Sequence, residues 1–154
     1  TLKERNSATA GKTRLIAFLG GKSAVDILCR RDLEKIGATV AVSTEDGSSG
    51  SKGIVTDLIT RFFRNLPSVE QKDLSLFACG PLPMLHAISE FARSQEVPCQ
   101  VSLESRMACG VGACVGCSIP TRSDESTLPT YQRACTEGPV FDSSDILWDD
   151  PHLL

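Results

Sequence analysis

The segment Cys109-Gly110-Val111-Gly112-Ala113-Cys114-Val115-Gly116-Cys117 constrains this chain more than any other, because it sets three cysteines at C-x4-C-x2-C spacing in a run otherwise made of Gly, Ala and Val. A fourth, Cys135, follows after seventeen intervening residues. Four thiolates in that order match the plant-type arrangement for a 2Fe-2S cluster, in which a tight loop supplies three ligands and a later segment closes the site. Glycines at 110, 112 and 116 permit backbone angles closed to other residues, so the loop can wrap a cluster and aim N–H groups at sulfur. Structural zinc also accepts four thiolates, but its modules usually come as two C-x2-C pairs, and only one such pair exists here. Disulfides are the third reading. The chain has seven cysteines, an odd number, and at 154 residues with 41% hydrophobic content it does not depend on bridges to fold.

The same bulk properties narrow the partners. A net charge of -3 and a pI near 5.4, with basic and acidic residues interspersed, make no electrostatic case for nucleic acid or an anionic membrane. No apolar run approaches the roughly 20 residues of a spanning helix, and no basic segment leads into a signal-like apolar core. Protein and small-molecule partners in the cytoplasm are expected. The first segment, TLKERNSATAGK, is polar and aperiodic, and reads as a linker or a helix remnant.

Strand and helix signals alternate after it. Arg14 to Leu19 is a short apolar run ending at Gly20-Gly21, and a partial helical period runs from a Ser23 cap through Val25, Leu28 and Ile36 to a stop at Gly37. Thr39 to Ser43 is a second strand, Gly53 to Leu66 an amphipathic helix ended by Pro67, and Leu74 to Cys79 a third strand. Pro81 and Pro83 suit the first turn of the helix that follows. The pattern predicts an α/β fold with a parallel sheet and flanking helices, from which Val101 to Glu104 leads out. Two Gly-Lys-Thr/Ser sequences, at Gly11 and Gly21, resemble the end of a P-loop, but Asn6 and Ile16 stand where its first Gly is needed.

Two further stretches carry candidate chemistry. Glu45, Asp46 and Gly47 open a turn-rich segment directly after the second strand; acids there can bind ribose hydroxyls and disfavour a 2'-phosphate, although a solvated loop is an equal reading. Cys79-Gly80-Pro81-Leu82-Pro83-Met84 follows the third strand, at the end where open α/β sheets bind ligands, and on local grounds alone it is a buried strand end and a turn. Cys29 and Cys99 read as small buried hydrophobes, and His86 and His152 have no partners at ligand spacing.

The segments SLESRMACGVGACVGCSIP and YQRACTEGPVF resemble the cluster domain of the electron-transfer subunit of B-type, NAD-dependent dihydroorotate dehydrogenase, a branch of the ferredoxin-reductase family. The CGP-x-PM sequence at Cys79 to Met84 resembles the nicotinamide-side loop of the same family, and the similarity runs from Arg14 to about Trp148. It implies a partial pyridine-nucleotide domain over 1–102 without its first strand and Gly-rich turn, a cluster domain over 103–148 and a tail over 149–154. It also implies Cys109, Cys114, Cys117 and Cys135 as cluster ligands, and Glu45, Asp46, Gly47, Cys79, Gly80, Pro81 and Met84 on the nucleotide side. FAD is implied too, bound mostly by a preceding barrel, so an N-terminally truncated chain is expected, inactive by itself.

Under this resemblance the partner is an FMN-containing dihydroorotate dehydrogenase catalytic subunit, in a heterotetramer serving pyrimidine biosynthesis. No residue here is a credible acid, base or nucleophile for the dihydroorotate step, so this chain is expected to carry electrons and not bonds. A flavin and iron-sulfur subunit of a ferredoxin:NADP transhydrogenase or sulfhydrogenase shares much of the pattern. A cluster-based redox sensor and a zinc-stapled interaction module are the non-enzymatic readings. Iron, sulfide and zinc analysis with an EPR spectrum after anaerobic dithionite reduction separates them: two irons per chain and a rhombic one-electron signal are expected, and one zinc without signal would overturn the cluster.

Overall fold

The apolar run after Arg14 becomes strand β1 (Ile16–Gly21), and the β-branched run beyond it becomes β2 (Thr39–Thr44), paired parallel from Ile16 opposite Thr39 to Gly21 opposite Thr44. These coordinates are a computed structural model that describes residues 13–71, 73–123 and 126–153. The polar segment 1–12 lies outside the described residues. Two units divide the chain between Asn65 and Leu66.

In the first unit a two-residue strand β3 (Ser51–Lys52) adds parallel to β2, giving the order β1-β2-β3. Helix α2 (Val55–Arg64) packs on β1 and β2 through buried Ile59 and Phe63, and Phe62 meets Phe18 edge to face at 5.2 Å. Gly20 allows that approach: a Cβ there would stand 2.8 Å from the Cβ of Val55. The Gly20-Gly21 pair therefore continues the strand where the sequence suggested a turn.

The helix expected from Ser23 to Gly37 is broken in two. One 3-10 turn (Ala24–Asp26) and helix α1 (Arg30–Lys35) flank a bend at Cys29, whose φ of 58° is left-handed. A continuous helix cannot pass that angle, and the apolar stripe falls out of phase: Val25 is 84% and Leu28 69% exposed. Cys29 is itself exposed, which corrects its reading as a small buried hydrophobe.

The second unit begins with a short helix, α3 (Ser68–Gln71), and then β4 (Leu76–Cys79). Helix α4 (Leu82–Ser94) crosses over to β5 (Cys99–Ser102), which lies parallel to β4 as a helical crossover permits. Pro81 caps the helix and Pro83 sits in its first turn, where their missing N–H groups cost nothing. Leu85, Ile88 and Ala92 bury one face of α4.

Strand β8 (Val140–Asp142) then joins β5 antiparallel, an addition the alternating pattern did not foretell. Between them a hairpin of β6 (Ser118–Ser123) and β7 (Ser126–Arg133) forms a separate sheet. Residues 123, 126 and 127 belong to these strands, and 124 and 125 lie outside the described residues. Ile146 bridges Thr121, and Trp148 donates its ring N–H to the Ser143 carbonyl while stacking on His86 at 5.3 Å.

Cys99, expected to be buried, is 3% exposed between these elements. Burial pushes its thiol up. Among the described residues no helix is long and apolar enough to cross a membrane.

Leu85 is 1% exposed, so Leu85→Ala should cost about 2–5 kcal/mol, whereas Val140→Ala at a half-exposed strand position should stay within about 1 kcal/mol. Trp148, the single tryptophan, lies in the same unit, and urea titrations followed by its fluorescence measure both.

Candidate metal centre

The cysteine loop leaves β5 through Leu103, which is 2% exposed, and enters β6 at Ser118, so both of its ends are anchored in the core of the second unit. Between these anchors the chain has no apolar interior to fold around. Val111 and Val115 are 75% and 62% exposed. Its conformation is held instead by backbone N–H groups turned toward sulfur. Val111 N–H and Ala113 N–H donate to Cys109 Sγ at 3.5 and 3.3 Å, and Gly116 N–H donates to Cys114 Sγ at 3.5 Å.

Those turns need left-handed backbone at Gly110 (φ 67°) and Gly112 (φ 80°), as the sequence suggests. Gly116 does not take such an angle; Val115 does, at 51°. The Ser118 hydroxyl supports that strained residue by donating to the Val115 carbonyl at 2.6 Å.

Cys117 is 4% exposed and Cys135 is half-buried; Ala134 N–H donates to the Cys117 carbonyl at 3.0 Å and ties the return strand to the loop. All seven cysteines are free. The Cys114 thiol acts on Cys109, and the Cys135 thiol acts on Cys117. The Val111 N–H, with those of Cys114 and Ala113 and the Cys114 side chain, holds the Cys109 thiol down to about 6. Hydrogen bonding from Cys135 lowers Cys117 and correspondingly raises Cys135.

Among the described residues no group of three or more His, Cys, Asp or Glu stands in metal-holding geometry, so the four cysteines do not form a closed four-sulfur cage. The donor chemistry nevertheless fits an iron-sulfur cluster. Thiols held down at Cys109 and Cys117, four cysteines at cluster spacing and N–H donors aimed at Cys109 and Cys114 suit such a cluster.

Arg133 and Glu137, which the sequence reading did not single out, complete the site. The Arg133 guanidinium donates through Nη1 to the Gly112 carbonyl at 2.9 Å and through Nη2 and Nε to the two Glu137 carboxylate oxygens at 2.6 and 3.2 Å. The Arg133 backbone N–H also donates to Glu137. This guanidinium holds the Glu137 carboxyl down to about 2. The signal was an Arg and a Glu four residues apart, straddling the fourth cysteine.

The nucleotide-side candidates lie in different units. In the first, Asp46 accepts from Ser48 N–H and Oγ at 2.8 and 2.6 Å, which pulls its carboxyl below the usual range and commits it to the turn. Gly47 takes the left-handed φ of 79° in that turn, and Glu45 is exposed. In the second unit Gly80, Pro81, Leu82, Leu85, Leu103 and Glu104 line a cleft of about 190 Å³. That is small beside the roughly 300–1,000 Å³ of complete ligand pockets. Met84 closes over Gly80, where a Cβ would meet its Cε at 2.6 Å, and Cys79 is exposed beside them. Leu103 and Glu104 are additions that only the fold brings to this turn.

Residues 104–147 match the family described as the iron-sulfur cluster binding domain of dihydroorotate dehydrogenase B. The chain is 41% identical over 109 residues to the electron transfer subunit of dihydroorotate dehydrogenase B (NAD(+)) from Caldanaerobacter subterraneus, covering 71% of this chain and 40% of the relative. It is 36% identical to the same subunit from Desulforamulus reducens, covering 90% and 50%, and 36% identical to the homolog from Aquifex aeolicus, covering 96% and 52%. The chain thus spans about half the length of the curated relatives it matches.

Among solved structures, an NADH-dependent reduced ferredoxin-NADP oxidoreductase described for flavin-based electron bifurcation superposes with a TM-score of 0.73 at 25% identity, covering 96% of this chain and 49% of that one. Its likeness agrees with a ferredoxin-reductase-type α/β arrangement followed by a C-terminal cluster-binding segment. By the matched segment and by these relatives together, the chain is similar over most of its own length to about half of a dihydroorotate dehydrogenase B electron transfer subunit.

Proposed function

We propose that this chain passes electrons between NAD(H), through FAD, and the FMN of a dihydroorotate dehydrogenase catalytic subunit, by way of a 2Fe-2S cluster on Cys109, Cys114, Cys117 and Cys135. The observation that carries the reading is the cysteine loop with N–H groups turned toward Cys109 and Cys114, inside a segment that matches an iron-sulfur cluster binding domain. A 2Fe-2S cluster supplies one-electron chemistry, and a nicotinamide exchanges a two-electron hydride, so a flavin has to divide the pair.

The chain's own residues do the holding. The four cysteines ligate, the loop amides offset negative charge on sulfur, and the buried Cys117 side faces the core while the exposed Cys114 side faces outward. Met107, Val111, Val115 and Tyr131, all more than half exposed, offer the partner subunit an apolar surface near the loop. On the nucleotide side, the cleft beside Cys79, Gly80, Pro81 and Met84 would take a nicotinamide ring. Glu45 is the acid assigned to a ribose, with Asp46 and Gly47 shaping its turn.

In this reading residues 1–102 serve the nucleotide, 103–148 the cluster and 149–154 form a tail. The setting is cytoplasmic, where thiols stay reduced. The role belongs to pyrimidine biosynthesis, in a heterotetramer with the catalytic subunit, and these 154 residues alone give no appreciable NADH oxidation with added FAD.

Serine substitution tests the ligand set. Cys109→Ser, Cys114→Ser, Cys117→Ser and Cys135→Ser should each lose the reduced-state EPR signal and at least about half the bound iron, while Cys29→Ser, Cys79→Ser and Cys99→Ser retain both. An unchanged signal in Cys135→Ser would remove the closing ligand from the proposal, and zinc in place of iron throughout would remove the function.

A further inference from the structure

We propose that Arg133 and Glu137 form a charged clasp that positions the cysteine loop and, by pairing opposite charges beside it, keeps either charge alone from shifting how readily the bound cluster accepts an electron. The inference rests on the cluster reading above and extends it to two residues that touch no candidate sulfur in the described hydrogen bonds.

Four observations place the clasp. Arg133 ends β7 two residues before Cys135, and Glu137 follows two residues after it, so the pair brackets the closing ligand. The guanidinium engages Glu137 as a two-pronged fork and spends Nη1 on the Gly112 carbonyl, in the middle of the loop that carries the other three cysteines. The turn between them is tight: the N–H groups of Thr136, Glu137 and Gly138 converge on the Arg133 carbonyl at 2.8–3.2 Å. Space at the crossing is limited, since a Cβ on Gly112 would stand 3.0 Å from the Thr136 methyl and 3.4 Å from Arg133 Nη1.

The side chains of Arg133 and Glu137 are 38% and 36% exposed, so the ion pair by itself adds little to stability. Its consequence is positional and electrostatic. Opposite charges held together contribute almost no net field at the cluster; removing either one leaves the other uncompensated beside it. Reduction adds one negative charge to the cluster, so a lone guanidinium favours the reduced state and a lone carboxylate disfavours it. The carbonyl bond from Nη1 is a separate, geometric contribution that a neutral glutamine or a lysine does not reproduce with the same fork.

The discriminating experiment is an EPR-monitored redox titration of the full chain carrying its cluster, in four variants. Glu137→Gln should raise the midpoint potential and Arg133→Gln should lower it. Each should change the ratio of reduced to oxidised cluster at fixed poise by about three- to tenfold, up to ~59 mV for a one-electron couple. The double variant, neutral like the parent pair, should return near the parent potential. Arg133→Lys keeps the charge, so it should keep the potential near the parent while losing iron to a chelator several-fold faster.

A merely structural clasp would instead shift the potential in one direction in both single variants, with no return in the double, and that outcome overturns the inference. Equal iron loss from Arg133→Lys and parent overturns the positioning half. Absence of any 2Fe-2S signal from the parent chain defeats the underlying reading instead, so the two failures are distinguishable.

Discussion

Thiolates gathered in one place repel one another, and in this chain the offset comes from main-chain N–H groups bent toward Cys109 and Cys114. That arrangement dictates the rest of the second unit. A loop whose donors point inward at sulfur cannot also use them in a ladder, and its valines point into solvent. It therefore borrows its shape from what surrounds it: buried Leu103 before it, Cys117 and Ile119 after it, and a guanidinium from the return strand across its middle. The strands of the second unit serve largely as the fixed frame for a segment that has no core of its own.

The parts of the fold that were legible in the sequence are those where local pattern and tertiary packing agree. β2, α2 and α4 follow their β-branched or amphipathic runs to within a residue or two, and the prolines at 81 and 83 mark the start of α4. The Ser23–Gly37 stretch was misread because one left-handed residue, Cys29, dissects a helical period and nothing in the side-chain pattern announces a non-glycine at positive φ. Strand β8 was hidden for a different reason. Three residues carry too little pattern, and Val140–Asp142 becomes a strand only because β5 offers it a register.

The same division holds at the site. Cysteine spacing is a chemical signature and survives without a structure. Arg133 and Glu137 do not, since a basic and an acidic residue at helical spacing usually mean a solvated pair; only the carbonyl of Gly112, twenty-one positions away, gives them a purpose. Asp46 illustrates the converse. It was legible as an acid after a strand, but the turn claims its carboxylate through Ser48, while its neighbour Glu45 is exposed.

The first unit carries a feature of another kind. β1 pairs with β2 alone among the described strands, and its Ile16, Ala17, Phe18 and Leu19 are apolar yet none is fully buried. An apolar parallel strand whose second edge meets no other described strand is a template that another backbone can extend.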